Sequence, residues 1–213
     1  MQDSFGIPKL ELHAHIGGCM RPSTFVELAV AKGVDLDKVN FYKIDLAASF
    51  EFFKIMSVLL QDIPTLQRVV YEMIEDFSKQ NCKYLEIRST PKAFANSTPR
   101  QYLDAVLEVI EHCETEFDIK VRLIVSINRQ ADLETAKNTM ALLKEVKSKY
   151  ICGIELSGDP RTGNFNDFLD LLQSARSKYK ISLHCAEIAE QSSESDAMIE
   201  FKPDRLGHCC YLT

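Results

Sequence analysis

Short runs of β-branched and aromatic residues alternate with longer segments whose apolar residues recur at helical spacing. The short runs predict strands at residues 9–16, 83–90, 121–127, 152–157, 181–186 and 205–211. The longer segments predict helices at residues 23–32, 45–61, 64–80, 99–117, 133–149, 165–179 and 190–200. Because strands and helices alternate, the pattern predicts βαβ units with right-handed crossovers and a parallel sheet.

The two faces of the predicted strands differ in polarity. In the first strand the apolar face carries Leu10, Leu12, Ala14 and Ile16, and the polar face carries Glu11, His13 and His15. A doubly wound sheet, covered on both faces, has strands that are almost continuously apolar. A (β/α)8 barrel instead gathers polar groups toward the carboxyl ends of its strands, so the pattern predicts a TIM-type barrel. Only six of the eight strands of such a barrel are found.

Composition and missing motifs exclude several classes of protein. A net charge of −6 and a pI near 5.4 disfavour nucleic acid and membrane surfaces as partners. Neither a GxGxxG turn nor a P-loop follows the first strand, and residues 1–8 do not have the pattern of a signal peptide. The seven cysteines are dispersed and odd in number, which favours reduced thiols in a cytoplasmic protein. Neither nucleic acid nor a membrane is therefore expected as a partner, and the oligomeric state stays open.

A pair of histidines closes the first strand. Because side chains alternate along a strand, His13 and His15 share one face and could bind one cation at the carboxyl end where barrel sites lie. The alternative is two polar residues on a half-exposed strand. The position of the pair before Gly17 and Gly18 favours the metal site.

Two further strands end in a histidine. His184 closes the fifth strand and is followed by Glu187 at the turn, while His208 lies at the end of the sixth strand. Taken singly, Glu187 could be an acid at a helix start and His208 a packed histidine. Together with the first pair, they place four of the five histidines at strand ends, and His112 is expected on a helix surface. The set predicts a mononuclear zinc hydrolase, in which the metal lowers the pKa of water toward ~7 and a nearby carboxylate moves protons.

Cysteines also lie near these strand ends. We expect packing roles for Cys185, Cys209 and Cys210, because free cysteine usually behaves as a small buried hydrophobe. Zinc binding by these thiols is possible in principle. A cysteine nucleophile would need a paired base and an oxyanion hole, neither of which the sequence specifies.

These motifs resemble those of the adenosine deaminase branch of the amidohydrolase barrels over essentially the whole chain. Residues 8–15 (PKLELHAH), 184–187 (HCAE) and 205–208 (RLGH) are similar to the family's first, fifth and sixth strands. Residues 85–91 (LEIRSTP) and 156–160 (LSGDP) look more like the adenosine-deaminase-like proteins that act on N6-methyl-AMP.

The resemblance implies a role for each matching position. His13, His15 and His184 would bind one Zn²⁺ per chain, Glu187 would donate a proton to the purine ring, and His208 would orient and help to deprotonate the attacking water. The substrate would lie near five residues: His15, Ser89, Thr90, Lys92 and Gly158. The implied reaction is hydrolytic deamination of a 6-aminopurine nucleoside or nucleotide; adenosine, AMP and N6-methyl-AMP stay open as substrates.

Three positions near the implied substrate depart from the family pattern. Gly17 stands where the family usually has Asp or Asn, Asn128 replaces an acid of the subgroup, and Lys92 replaces an Arg. Lysine is a point charge rather than a bidentate fork, so the geometry of phosphate binding could differ. The zinc ligands themselves are unaffected.

The family also supplies a zinc-binding Asp and a catalytic Asp from an eighth strand. Asp159 and Asp204 lie in other motifs and are poor substitutes. We therefore expect residues 1–213 to form one barrel domain that is incomplete at its C-terminal end, since barrels of ~250 residues are typical. The alternative to an enzyme is a catalytically inactive truncated form that binds metal or depends on a partner.

Overall fold

The computed structural model describes residues 6–36, 39 and 45–212. The chain divides into two units, one formed by Met1–Ile87 and Lys92–Arg122 and the other by Arg88–Pro91 and Leu123–Thr213.

The first unit contains strand β1 (Lys9–His15), most of β2 (Cys82–Ser89) and the start of β3 (Lys120–Asn128), which neighbour one another in chain order. Its helices are α1 (Pro22–Ala31), α2 (Leu46–Leu59), α3 (Ile63–Lys79) and α4 (Pro99–Glu116). Helix α3 packs along α4. The predicted elements of this half of the chain are therefore present.

Local chemistry fixes where these helices begin. Asp62 caps α3 by accepting a hydrogen bond from the Thr65 amide, and Pro64 occupies the first turn, where a missing N–H costs nothing. Thr98 and Gln101 form a reciprocal capping box at the start of α4. The predicted starts of these two helices, at residues 64 and 99, fall within one residue of the observed ones.

Helices α1 and α2 bury an apolar cluster between them. Phe25 and Ala29 of α1 pack with Met56 and Leu59 of α2. Arg21, which precedes α1, pairs with the carboxylates of Glu75 and Asp76 on α3. The cluster and the ion pairs hold α1 against its neighbours within the unit.

The second unit contains the rest of β3 together with β4 (Ile151–Ser157), β5 (Lys180–Cys185) and β6 (Arg205–His208), parallel and adjacent in chain order. Helices α5 (Leu133–Glu145), α6 (Phe165–Ala175) and α7 (Ser192–Glu200) follow β3, β4 and β5. On one face Ser126 pairs in register with Glu155, and Glu155 with Ser182, all three buried. This face of β4 is thus polar and buried.

The structure corrects some of the expectations for the strands and helices. Leu10 and Leu12 of the predicted apolar face are exposed, and only Ala14 and Ile16 of that face are buried, because nothing among the described residues of the unit covers the start of β1. Strand β6 ends at His208 rather than at residue 211, because the backbone enters the left-handed region at His208 and Cys209. Helices α5 and α6 also stop four residues earlier than expected.

Among the described residues, no helix is both long enough and apolar enough to cross a bilayer.

Candidate active site

The first unit places two imidazoles side by side at the end of β1. Alternation along the strand puts His13 and His15 on one face, with their Nε2 atoms 3.1 Å apart and both rings half-buried. Two ligands of a tetrahedral zinc ion, each 2.0–2.1 Å from the metal, lie about 3.3 Å from each other. The spacing of the two nitrogens therefore suits binding of one ion.

The second unit brings together His184, Glu187 and His208. His184 Nδ1 lies 3.2 Å from His208 Nε2 and 3.8 Å from Glu187 Oε1, and His208 Nε2 lies 3.6 Å from Glu187 Oε2. The adjacent parallel strands β5 and β6 bring these residues close, since His184 pairs in register with Gly207 and Cys185 with His208. Regular alternation would put His184 and His208 on opposite faces, but the positive φ of His208, 66°, breaks that alternation. Side chains that are 24 residues apart in sequence thus become direct neighbours.

Unusual backbone conformations surround these three side chains. Ala186, His208 and Cys209 have φ values of 52°, 66° and 59°, in the left-handed region that L-residues rarely adopt. Two hydrogen bonds hold the turns: Cys209 N donates to Cys185 O at 2.9 Å, and Tyr211 N donates to Ala186 O at 3.0 Å. Such conformations cost free energy and are concentrated at functional sites.

Burial favours the neutral forms of both Glu187 and His208. Burial raises the pKa of Glu187, against the opposing effect of His184 and Arg129. Burial, followed by the charges of His184 and Arg88, lowers the pKa of His208 to about 4. A carboxyl with a raised pKa can donate a proton, and a neutral imidazole can accept one. The pair can therefore supply general acid–base chemistry.

A buried ion pair faces this cluster, and neither partner is among the site residues predicted from the sequence. Glu155 of β4 pairs with Arg88, and both side chains are completely buried. Glu155 also accepts a hydrogen bond from Ser126 Oγ at 2.5 Å, and its Oε2 lies 3.5 Å from His184 Nε2. The only sign of this ion pair in the sequence is that Arg88 and Glu155 are charged residues within largely apolar strands. Because the two residues are far apart in sequence, their contact could not be predicted.

A second, largely buried ion pair fixes the loops that follow β4 and β5. Arg129 donates to Glu194 at 2.5 Å and to the carbonyl of Thr162, while Glu194 accepts from the Phe165 amide at 2.6 Å and from Gln191 Nε2 at 2.7 Å. Neither member of the pair was singled out from sequence. Together they tie helix α7 to the loop that follows Gly158.

The expected substrate residues lie at strand ends or shortly after them. Ser89 and Thr90 are half-buried at and just beyond the end of β2, within the second unit. Gly158 follows β4 with φ 109°, and a Cβ added there would lie 2.3 Å from Asn128 Oδ1. Lys92, in the first unit, donates to Ser57 Oγ at 3.1 Å, and burial lowers its pKa. The space beside the Gly158 Cα is thus occupied by the Asn128 side chain, which only a glycine permits.

The cysteines near the strand ends, His112 and two aspartates are the other residues considered from the sequence. Cys185 is buried and Cys209 half-buried, but Cys210 is exposed, so a packing role is wrong for Cys210 because its side chain has no core to fill. His112 lies on the exposed surface of α4, as expected. Asp159 pairs with Arg161, and Asp204 with Lys180.

Comparison with known proteins gives a consistent family assignment. The family model described as adenosine deaminase matches residues 8–212. The chain is 36% identical to the N6-mAMP deaminase of Arabidopsis thaliana, covering 97% of this chain and 67% of that protein. It is 34% identical to the N6-methyl-AMP deaminase of Mus musculus, with coverage of 97% and 61%. The chain therefore spans about two thirds of the length of these relatives.

Solved structures agree with the sequence comparison. The crystal structure of Arabidopsis ADAL complexed with GMP has a TM-score of 0.92 at 34% identity, covering all of this chain and 68% of that one. An amidohydrolase with bound Zn, from a Burkholderia species, has a TM-score of 0.78 at 22% identity, covering 95% of this chain and 58% of that one, and supports the fold alone. The predicted fold class, an α/β barrel of the amidohydrolase kind, is confirmed.

Proposed function

Since the chain belongs to the adenosine deaminase family, we propose that it functions in the zinc-dependent hydrolytic deamination of a 6-aminopurine nucleoside or nucleotide. The observation that carries the proposal is the cluster of His184, Glu187 and His208, in which burial shifts the pKa of Glu187 upward and that of His208 downward. The matched relatives are named as deaminases, so they lend no support to the non-catalytic alternative.

We propose His13, His15 and His184 as ligands of one zinc ion per chain. The donors fit the metal, because neutral imidazole nitrogen is a preferred ligand of zinc and the first two Nε2 atoms are 3.1 Å apart. When bound, zinc would supply an acidified water as the nucleophile. The bound Zn named for the Burkholderia amidohydrolase is consistent with this choice.

Glu187 and His208 would move the protons of the reaction. His208, neutral near pH 7, would orient the attacking water and accept its proton. Glu187, whose pKa is raised by burial, would deliver a proton to the purine ring nitrogen. Their separation of 3.6 Å would keep both groups close to one reacting centre.

The remaining residues would recognise the nucleotide. The backbone at Gly158 would approach the base, and His15 would contact the substrate. Ser89, Thr90 and Lys92 would lie near the sugar and phosphate, where a cation and hydroxyl donors suit an anion. Relatives named as N6-methyl-AMP deaminases, and neighbours solved with GMP and IMP, support a purine nucleotide as the small-molecule partner. The dispersed cysteines support a further proposal, a cytoplasmic location.

The test is Glu187→Gln, a change that keeps size and removes proton transfer. We expect turnover of adenosine, AMP and N6-methyl-AMP, followed as release of ammonia or methylamine, to fall by roughly 10²–10⁴-fold. Zinc content should stay at one per chain, because Glu187 is not a proposed ligand.

Glu190→Gln is the matched control, since Glu190 is an exposed glutamate only three residues away. It should retain wild-type turnover. Full activity in the Glu187 variant would refute the proposed proton donor, and absence of zinc from the wild-type protein would refute the proposed metal.

A further inference from the structure

A fully buried glutamate lies next to His184. Glu155 has no exposed side-chain surface, and neither has Arg88, with which it pairs. Glu155 Oε1 accepts from Ser126 Oγ at 2.5 Å, while Oε2 faces His184 Nε2 at 3.5 Å. The carboxylate is therefore held from two sides and directed at the ring of His184.

The sheet register explains why these side chains meet. Glu155 pairs with Ser182 of β5, so His184 lies two residues further along the neighbouring strand and on the same face. Diagonal neighbours of this kind are within reach of a long side chain. An aspartate, shorter by one methylene, would place its carboxylate farther from the ring.

Stability alone does not account well for this ion pair. Burying two charges carries a desolvation cost that their attraction often fails to exceed, so a buried pair is weak evidence for a stabilising role. Arg88 and Ser126 do, however, fix the direction of the carboxylate. Ligand histidines at metal sites generally have a carboxylate or another acceptor that fixes the ring, and loss of that group weakens metal binding.

We propose that Glu155 is a positioning residue for the metal site: it fixes the rotation of the His184 ring and supplies negative charge beside a ring that binds a cation. This inference rests on the proposed role of His184 as a zinc ligand. Arg88 and Ser126 act through Glu155 by holding its carboxylate in place.

The test measures zinc affinity directly, by competition between the whole chain and a chromophoric chelator. Glu155→Gln removes the charge at nearly constant volume, and we expect zinc affinity to fall 10–100-fold. Glu155→Asp keeps the negative charge but places it farther from the His184 ring, so its zinc affinity should lie between those of the wild type and Glu155→Gln. Ser126→Ala leaves the charge and removes one hydrogen bond, so a smaller loss is expected.

Glu194→Gln is the matched control, because it removes a carboxylate from a second, largely buried arginine pair of the same unit. It should lower the urea midpoint of the metal-free protein while leaving zinc affinity near the wild-type value. Equal losses of affinity in the Glu155 and Glu194 variants would mean a general structural effect and would overturn the proposal.

Cobalt substitution separates positioning from direct ligation. We expect the visible Co²⁺ bands of the Glu155→Gln protein to keep the wild-type coordination number; loss of one ligand would overturn the positioning role. Wild-type zinc affinity in a folded Glu155→Gln protein would overturn this inference alone. Failure of the wild-type chain to bind zinc would overturn the metal proposal and this inference together. If Glu155→Gln does not fold, unchanged affinity in Ser126→Ala would count against the proposal.

Discussion

Replacement of Gly158 by alanine should destabilise the protein by more than the usual cost of a glycine substitution. The backbone there has φ 109°, which an L-residue adopts at a cost of about 1–3 kcal/mol. The added Cβ would also lie 2.3 Å from Asn128 Oδ1 and 3.3 Å from Arg129 Cγ. Asn128 can give way only by weakening the hydrogen bond that its Oδ1 accepts from the Gln130 amide at 2.9 Å.

That hydrogen bond has a net value of about 0.5–1.5 kcal/mol. Strain and displacement together therefore predict a loss of about 2–4 kcal/mol in the free energy of unfolding. For a chain of this length, each kcal/mol lowers Tm by about 2–4 °C, so the expected fall is about 5–15 °C. Urea unfolding and thermal denaturation followed by circular dichroism would measure both quantities.

Two further variants separate the contributions. Gly33 also has a positive φ, 68°, but a Cβ there would have no atom within 4 Å, so Gly33→Ala should cost only about 1 kcal/mol. In an Asn128→Ala background the Gly158 substitution should lose the part of its penalty that comes from the contact. If Gly158→Ala costs no more than Gly33→Ala, the argument from close approach is wrong.

Two other predictions concern stability. Asp62→Ala removes the cap of α3 and should cost about 1 kcal/mol in urea unfolding, whereas Asp62→Asn, which can still accept from Thr65, should cost much less; equal losses would contradict a capping role. Asp204 has its pKa lowered by Lys180 and by the Ile181 amide, so its stabilisation is present above its unfolded pKa near 3.8 and disappears as pH falls through the lower folded value. The stability difference between wild type and Asp204→Asn should therefore shrink on acidification from pH 6 to pH 3, and a constant difference would count against it.

Much of the local structure follows from the sequence, because its causes are local. Asp62 with Pro64, and Thr98 with Pro99, mark helix starts through interactions within four residues. Period-two alternation is enough to put His13 and His15 on one face and to set the two nitrogens near each other. His184 and His208 are predicted site residues because they lie at the carboxyl ends of parallel strands, where barrel sites form, and Glu187 follows His184 at the turn.

Other features depended on residues distant in sequence. Leu10 and Leu12 have the pattern of a buried face but are exposed, because burial depends on what covers a strand as well as on its periodicity. The end of β6 at His208 reflects left-handed backbone conformations that composition does not reveal. The pKa directions of Glu187 and His208 required knowledge of burial, which is a property of the packed chain.

The sequence by itself determined the alternation of strands and helices and the identity of the histidine and glutamate candidates, since both depend on short-range spacing. Only the tertiary structure decided that Glu155, with Arg88 and Ser126, faces His184, and that Arg129 and Glu194 fix the loops nearby. Residue types limit which contacts are possible. The register of neighbouring strands and the exclusion of water determine which of them form.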